Sequence, residues 1–175
     1  MKITVLSGSA RHNGNTEYLA KTAVEKHAHT LFKLKDYKIL PIDDMRHDPK
    51  GFAPVEDDYE AIIEQVLESD ILIFATPIYW YGMSGQMKNF IDRWSQSLRD
   101  PMLNFKEHMS KKKAYVIICG GDQAKIKGLP LIMQFKHIFE FMGMEFGGYI
   151  IGEANAPNDI LNNEFALESA RRLLS

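Results

Sequence analysis

The sequence SGSARHNGNT occupies residues 7–16, directly after the short apolar run Ile3–Leu6. Gly8 and Gly14 let the backbone approach a ligand closely and adopt dihedral angles that other residues avoid. An apolar stripe begins at Leu19, so a helix is expected here, and the free N–H groups and positive dipole at a helix start attract anions. The stretch is therefore predicted to be a phosphate-binding loop between the first strand and the first helix of an α/β protein.

Several side chains of this loop can donate hydrogen bonds to a phosphate. The candidate ligands are Ser9, Arg11, Asn13, Asn15 and Thr16, which lie around Gly14. Arg11 would make the charge-assisted contact. Asn15 or Thr16 is also expected to cap the helix. The alternative interpretation is a capped strand–turn–helix without a ligand. Both interpretations place a helix start at this point.

Three other phosphate-binding patterns do not fit the loop. It lacks the Gly-Lys-Ser/Thr ending of a nucleoside triphosphate P-loop. It also lacks the glycine spacing of the dinucleotide fingerprint, and the first strand has no acidic pair of the kind found in phospho-receiver domains. The predicted phosphate therefore belongs to a ligand of another class.

Apolar runs and helical stripes alternate along the whole chain. Five strands are predicted at Ile3–Leu6, Tyr37–Ile42, Ile71–Ala75, Tyr115–Cys119 and Tyr149–Ile151. Helical stripes are predicted at residues 19–24, 62–67, 87–98, 131–142 and 166–174. This alternation predicts a three-layer α/β domain over residues 1–175, with a five-stranded parallel sheet between helices. The expected strand order is 2-1-3-4-5, and it puts a ligand crevice at the carboxyl edge of the sheet.

A second candidate loop, residues 76–84, follows the third predicted strand. Tyr79, Trp80 and Tyr81 are consecutive, so they cannot all enter one core, and they lie between Pro77 and Gly82. Aromatic rings of this kind can stack on a flat ligand, and the same exposure would suit a subunit contact. Ser84 is expected to start the next helix.

The loops at residues 7–16, 76–84 and 120–128 all follow predicted strands. The carboxyl ends of parallel strands meet at one edge of the sheet, so these loops are expected to converge. A phosphate loop beside an aromatic loop indicates a nucleotide-like cofactor, for which FMN is the best candidate.

The length, charge and cysteine content of the chain exclude several classes of function. A chain of 175 residues with 45% hydrophobic content fits one globular domain. The net charge of −2 gives no basic field for nucleic acid. The single cysteine, Cys119, excludes an internal disulfide and favours a cytoplasmic location. No signal peptide and no membrane-spanning segment is expected.

The two motifs resemble those of the flavodoxin-like NAD(P)H-dependent FMN reductase family, and the resemblance covers nearly the whole chain. Residues 8–16 are similar to the family's Gly-Ser-x-Arg-x-x-Gly-Asn-Thr loop, and TPIYWY at residues 76–81 followed by KNFIDR at 88–93 is similar to its flavin-ring segment. The resemblance implies a flavodoxin-like fold and phosphate contacts from the loop residues named above. It also implies contacts to the isoalloxazine ring from a larger set. That set is Pro77, Ile78, Tyr79, Trp80, Tyr81, Gly82, Gly120, Gly121, Asp122 and Gln123.

The resemblance further implies FMN and NAD(P)H as cofactors and a homodimer with flavin sites near the interface. One subgroup of relatives carries a cysteine cluster for an iron–sulfur centre in the loop after the second strand. Here that loop, residues 43–52, holds no cysteine, so such a centre is excluded on ligand grounds.

The expected activity is hydride transfer from NAD(P)H through FMN to a small acceptor such as a quinone, a nitro compound or a free flavin. No catalytic acid, base or metal ligand is predicted, since the flavin supplies the chemistry. Two alternatives stay open: a flavodoxin-like electron carrier that serves protein partners, and a flavin-free regulatory domain on the same fold. Carriers of the first kind are usually more acidic than this chain.

Three further groups have simpler interpretations. Cys119 is expected to be buried in its strand. The run Lys111–Lys113 is expected to be a solvated strand start. The acidic residues at 56–58 are expected to stabilise the start of the second helix.

Overall fold

All 175 residues are described by the structure, a computed structural model. Five parallel strands form one sheet in the order β2-β1-β3-β4-β5, which confirms the predicted order and the flavodoxin-like fold. The three central strands are apolar and almost wholly buried, as parallel strands covered on both faces should be. The strands are β1 (Ile3–Ser7), β2 (His29–Lys33), β3 (Ile71–Pro77), β4 (Lys113–Gly120) and β5 (Glu145–Glu153).

Helices cover both faces of the sheet. One apolar core lies beneath α1 and α8, and a larger one lies beneath α2, α3, α4, α5 and α7. The helices are α1 (Asn15–Val24), α2 (Tyr59–Glu68), α3 (Gly85–Asp92), α4 (Trp94–Ser97), α5 (Phe105–Ser110), α6 (Ala124–Lys127), α7 (Leu129–Met142) and α8 (Glu164–Arg171). None of them is both long and apolar enough to span a membrane.

The predicted second strand at residues 37–42 is wrong, because β2 lies earlier, at His29–Lys33. β2 is an edge strand of which only Phe32 is buried, so its sequence lacks a continuous apolar run. The segment 37–42 instead places Tyr37 and Ile39 against the larger core. Its N–H groups bond to carboxylates rather than to a strand: Lys38 to Asp58 at 2.7 Å and Leu40 to Asp57 at 2.9 Å.

The helix predicted at 87–98 is divided at Arg93 into α3 and α4. Trp94 is buried on the same side as Met87 and Phe90, so the predicted core face is confirmed. The side chain of Arg93 is itself only 1% exposed, and it forms an ion pair with Asp57. A charged residue that turns inward is the feature that the apolar pattern did not predict.

Lys112 corrects another expectation, because it lies in the predicted solvated run yet is only 4% exposed. Its Nζ donates to the carbonyl of Leu67 at 2.7 Å and to that of Ser69 at 2.5 Å. A cation is favoured at the C-terminal end of a helix, where carbonyl groups lack partners. Lys112 therefore fastens the end of α2 to the start of β4, at the sheet edge opposite the loops of interest.

Burial lowers the pKa of Lys112 from 10.5 to about 8, although Asp70 nearby partly opposes the shift. Between these two values the unfolded chain binds more protons than the folded protein, so stability rises with pH. The stabilisation is complete above pH 10.5 and is lost as the pH falls through about 8. We expect the free energy of unfolding of the natural chain, relative to Lys112→Met, to increase between pH 8 and pH 10. Urea unfolding of both proteins across this range measures it.

Lys111→Met is the matched control, since Lys111 is exposed and pairs only with Glu107. Its difference from the natural chain should stay level over the same pH range. A level difference for Lys112→Met as well would contradict the assigned titration.

Candidate functional site

The carboxyl edge of the sheet holds the loops that follow β1, β3, β4 and β5. Between adjacent strands, the backbone hydrogen bonding of the sheet continues for one residue beyond the strand end. Gly8 N–H donates to the Ala75 carbonyl at 2.8 Å, Ile78 N–H to Cys119 at 2.8 Å, and Ala154 N–H to Gly120 at 3.0 Å. The expected convergence of the first three loops is therefore observed, and a fourth loop, after β5, joins them.

The first loop places the N-terminal end of α1 at this edge of the sheet. Gly14 is the residue before the helix, and no side chain caps it, so the expectation that Asn15 or Thr16 caps α1 is wrong. The first N–H groups of α1 are left without a side-chain acceptor, which is the arrangement that anion-binding helices use. A Cβ on Gly14 would lie 2.5 Å from Ser9 Oγ, so this position has room only for glycine beside a buried serine.

Arg11 and Asn15 hold the fourth loop. The Arg11 guanidinium donates to the Asn155 carbonyl at 2.8 Å. The Asn15 side chain donates to the Ala156 carbonyl at 2.9 Å and accepts from Ile160 N–H at 3.4 Å. The Asn15 amide is thus occupied by the protein itself, whereas the Arg11 side chain lies exposed at the loop surface.

The aromatic residues form a two-residue hairpin. Tyr79 and Gly82 exchange both backbone hydrogen bonds at 3.0 Å, so Trp80 and Tyr81 occupy the turn. Both have positive φ, 49° and 62°, as a type I′ turn requires and as bulky residues rarely adopt. Trp80 is 97% exposed. Strained, exposed aromatic residues of this kind are typical of functional sites.

A polar clasp ties this hairpin to the loop after β4. Tyr81 Oη donates to the Asp122 carboxylate at 2.8 Å, and Lys127 Nζ donates to both carboxylate oxygens, at 2.8 and 2.7 Å. The hydrogen bonds from Lys127 and Tyr81 lower the pKa of Asp122. The hydrogen bond to Asp122, together with the charge of that carboxylate, raises the pKa of Tyr81. Both groups thus keep their ordinary protonation at neutral pH, and the clasp consists of one carboxylate between two donors.

Two adjoining cavities lie between these loops. The smaller, of about 90 Å³, is lined by Ser9, Arg11, Gly14, Asn15, Thr16, Pro77, Ile78, Tyr79, Cys119, Gly120, Gly121, Ala154 and Asn155. The larger, of about 340 Å³, is lined by Ile78, Trp80, Tyr81, Gly120, Gly121, Asp122, Ala124, Lys127 and Asn155. The two cavities adjoin and are together called the crevice, because four residues line both: Ile78, Gly120, Gly121 and Asn155.

Most of the predicted site residues line this crevice. Asn13, Gly82 and Gln123 belong to the same loops but line neither cavity. Four lining residues belong to neither sequence motif: Ala154 and Asn155, which lie after the last strand, and Ala124 and Lys127, which lie in the loop predicted at 120–128. For Ala154 and Asn155 the sequence offers only their position, because the loop after β5 also begins at the carboxyl edge of the sheet.

Cys119 also lines the smaller cavity, and its predicted burial is confirmed at 4% exposure. Burial raises the pKa of its thiol to about 12, against a smaller opposing contribution from Thr16. The thiol is therefore protonated at neutral pH and is a poor nucleophile. It forms part of the cavity wall.

Comparison with known proteins identifies the family. Residues 1–153 match the family model described as NADPH-dependent FMN reductase. The chain belongs to this family. Membership confirms the predicted resemblance and the predicted enzyme class, an FMN-containing oxidoreductase that uses NAD(P)H.

Individual proteins of known sequence or structure are also similar to this chain. The chain is 59% identical over 99% of its length, and 97% of the relative's, to a Bacillus subtilis protein with the provisional name NAD(P)H-dependent FMN-containing oxidoreductase YwqN. The solved structure of a Trp repressor binding protein from Bacillus subtilis superposes with a TM-score of 0.82 at 54% identity. That match covers 98% of this chain and 99% of the other.

An iron–sulfur flavoprotein of Methanocaldococcus jannaschii, MJ1083, is 29% identical over 99% of this chain and 93% of its own length. Iron–sulfur clusters are held by several cysteine thiolates. Cys119, the single cysteine of this chain, is buried in β4. The family member described here therefore lacks the ligand set that such a cluster needs.

Proposed function

We propose that this protein transfers a hydride from NAD(P)H to bound FMN and passes the electrons to a small acceptor, such as a quinone, a nitro compound or a free flavin. The observation that carries the proposal is the crevice at the carboxyl edge of the sheet. At one end it meets the uncapped start of α1, and at the other it has an aromatic wall. FMN is a ligand of that pattern, with a dianionic phosphate joined to a flat ring.

The smaller cavity fits the phosphate end. The backbone N–H groups at the start of α1 and the hydroxyls of Ser9 and Thr16 provide donors to an anion. Arg11 adds a positive charge at the rim. Asn15 contributes its backbone N–H, because its side chain is bonded to the fourth loop. Asn13 has a positive φ of 51°, in the left-handed region.

The larger cavity fits the isoalloxazine ring. The segments Pro77–Gly82 and Gly120–Gln123 provide the two walls. Those of their backbone N–H and carbonyl groups that are not bonded within the protein can meet the polar edge of the ring. FMN, when bound, supplies the hydride acceptor and the electron relay. These walls would orient the ring, and the apolar side chains of Ile78 and Ala124 in the same cavity would exclude water from it.

The decisive experiment is the anaerobic visible spectrum of the FMN-loaded protein, recorded before and after NADPH and then NADH. Rapid bleaching by either nucleotide, followed by recovery of the absorbance on addition of a quinone, would support the reductase. Bound flavin that neither nucleotide bleaches would favour the electron carrier. Failure to retain any flavin would overturn the cofactor assignment and favour the flavin-free domain.

Replacing Arg11 with alanine tests the phosphate end. We expect FMN binding to weaken by about 1.5–3 kcal/mol, the scale of a hydrogen bond to a charged group. Riboflavin, which has no phosphate, should lose less affinity than FMN in Arg11→Ala. Titration of flavin fluorescence measures both ligands, and an unchanged affinity for FMN would remove Arg11 from the phosphate site.

The homodimer and the cytoplasmic location stay predictions. The exposed ring of Trp80 is the feature that would favour a subunit contact near the flavin site. Sedimentation velocity of the FMN-loaded protein would decide between monomer and dimer.

A further inference from the structure

The loop after β5 is the least expected part of the crevice, because neither sequence motif includes it. We call residues 154–159 the β5 loop. It lies across the junction of the two cavities, and Asn155 lines both of them. A ligand that extends from one cavity into the other must pass this residue.

The β5 loop is held in place by hydrogen bonds on each side. The Asp159 carboxylate accepts from the N–H groups of Asn155 at 3.0 Å and of Ala156 at 2.6 Å. Arg11 and Asn15 fasten the carbonyls of Asn155 and Ala156 to the phosphate loop. The backbone of Asn155 therefore has a fixed position relative to the first loop.

Asn155 is also packed directly on the loop after β4. A Cβ added to Gly121 would lie 2.6 Å from Asn155 Cβ and 2.8 Å from its Cγ, so glycine is needed there for the two loops to touch. The Asn155 carboxamide makes no hydrogen bond in the structure, while its backbone N–H and carbonyl are both bonded. The backbone of Asn155 is therefore fixed, and its carboxamide is free to bind a ligand.

The geometry points to Asn155 as a further cofactor-binding residue, one that hydrogen-bonds the ribityl hydroxyls of FMN. This inference rests on the proposed function. The ribityl chain is the part of FMN that connects phosphate and ring, so it occupies the junction where Asn155 lies. A carboxamide both donates and accepts, which suits a chain of hydroxyl groups that do the same.

Four proteins and two ligands test it. The ligands are FMN and a synthetic analogue that keeps the phosphate and the ring but has hydrogen in place of the ribityl hydroxyls. The proteins are the natural chain, Asn155→Ala, Arg11→Ala and Asn162→Ala. Asn162 is an exposed asparagine shortly after the β5 loop that makes no side-chain hydrogen bond and lines neither cavity, so it is the matched control.

We expect Asn155→Ala to raise the dissociation constant for FMN about 3–10-fold, the effect of a neutral hydrogen bond. The same variant should bind the deoxy analogue as tightly as the natural chain does. Arg11→Ala should weaken both ligands, because both carry the phosphate, and FMN the more, because Arg11 also fastens the backbone of Asn155. Asn162→Ala should change neither. Thermal unfolding of the apo proteins would show that Asn155→Ala is folded.

Two results would overturn the inference: an unchanged affinity of Asn155→Ala for FMN, or equal losses for FMN and the analogue. In both cases the natural chain still binds FMN, so the proposed function survives. If the natural chain binds neither ligand, the proposed function and the inference fail together. Asn155→Asp adds a further check, because its charge should weaken FMN more than riboflavin.

Discussion

Replacing Arg93 with methionine is expected to lower the free energy of unfolding by about 3–5 kcal/mol, the cost of leaving a buried charge without its partner. Arg93 and Asp57 are 1% and 0% exposed at their side chains and form an ion pair. Arg93 also donates to the Leu40 carbonyl at 3.3 Å and to Gln96 at 2.9 Å. Its guanidinium lies 4.5 Å from the centre of the Tyr59 ring. Methionine keeps most of the volume but none of these polar contacts.

The pH dependence separates loss of the ion pair from loss of packing. Burial raises the pKa of Asp57, but the hydrogen bonds from Arg93, Leu40 and Tyr59 outweigh it and leave this pKa lowered. A lowered pKa stabilises the fold above the unfolded value of 3.8, and the stabilisation is lost as the pH falls through the folded value. Arg93→Met should therefore approach the natural chain in stability at acid pH.

Arg99→Met is the matched control, since Arg99 is exposed and makes no ion pair. Its stability should lie within about 0.5 kcal/mol of the natural chain, as for most surface substitutions. Arg93→Met combined with Asp57→Asn should recover part of the loss, because no unpaired charge is then buried. Urea unfolding gives all four free energies, and a loss below about 1 kcal/mol for Arg93→Met would refute the assigned role.

The second large effect is a gain in stability at the hairpin tip. Trp80 and Tyr81 both adopt positive φ, and each costs about 1–2 kcal/mol in this region for a residue with a side chain. Asn-Gly is the pair that type I′ turns prefer. The double variant Trp80→Asn, Tyr81→Gly should therefore relieve about 2–4 kcal/mol of strain, less the packing of the half-exposed Tyr81 and its hydrogen bond to Asp122. The midpoint of thermal unfolding should rise.

The same variant should lose function, because it removes two aromatic groups from the wall of the larger cavity. We expect weaker FMN binding and slower bleaching by NAD(P)H together with the higher midpoint. Trp80→Asn alone isolates the strain, since a side chain that is 97% exposed contributes almost no packing. A double variant no more stable than the natural chain would show that the hairpin is not strained.

The sequence predicted most of the fold because buried parallel strands and amphipathic helices have short-range patterns. β1, β3 and β4 are continuous apolar runs, and strand order followed from the usual arrangement of five βα units. β2 was misplaced because an edge strand with one buried residue has no such pattern. Lys112 was misjudged because burial of a lysine depends on where the end of α2 lies, which the neighbouring residues do not encode.

The sequence by itself determined the family and the two loops of the candidate site, because glycine spacing and consecutive aromatic residues constrain the backbone locally. Only the tertiary structure brought Asn155 to the junction of the cavities, buried Arg93 against Asp57, and bonded Asn15 to the β5 loop. These contacts join residues 36 to 144 positions apart. Side-chain chemistry along the chain does not specify such pairs, since they depend on which strand ends and helices lie side by side once the sheet has formed.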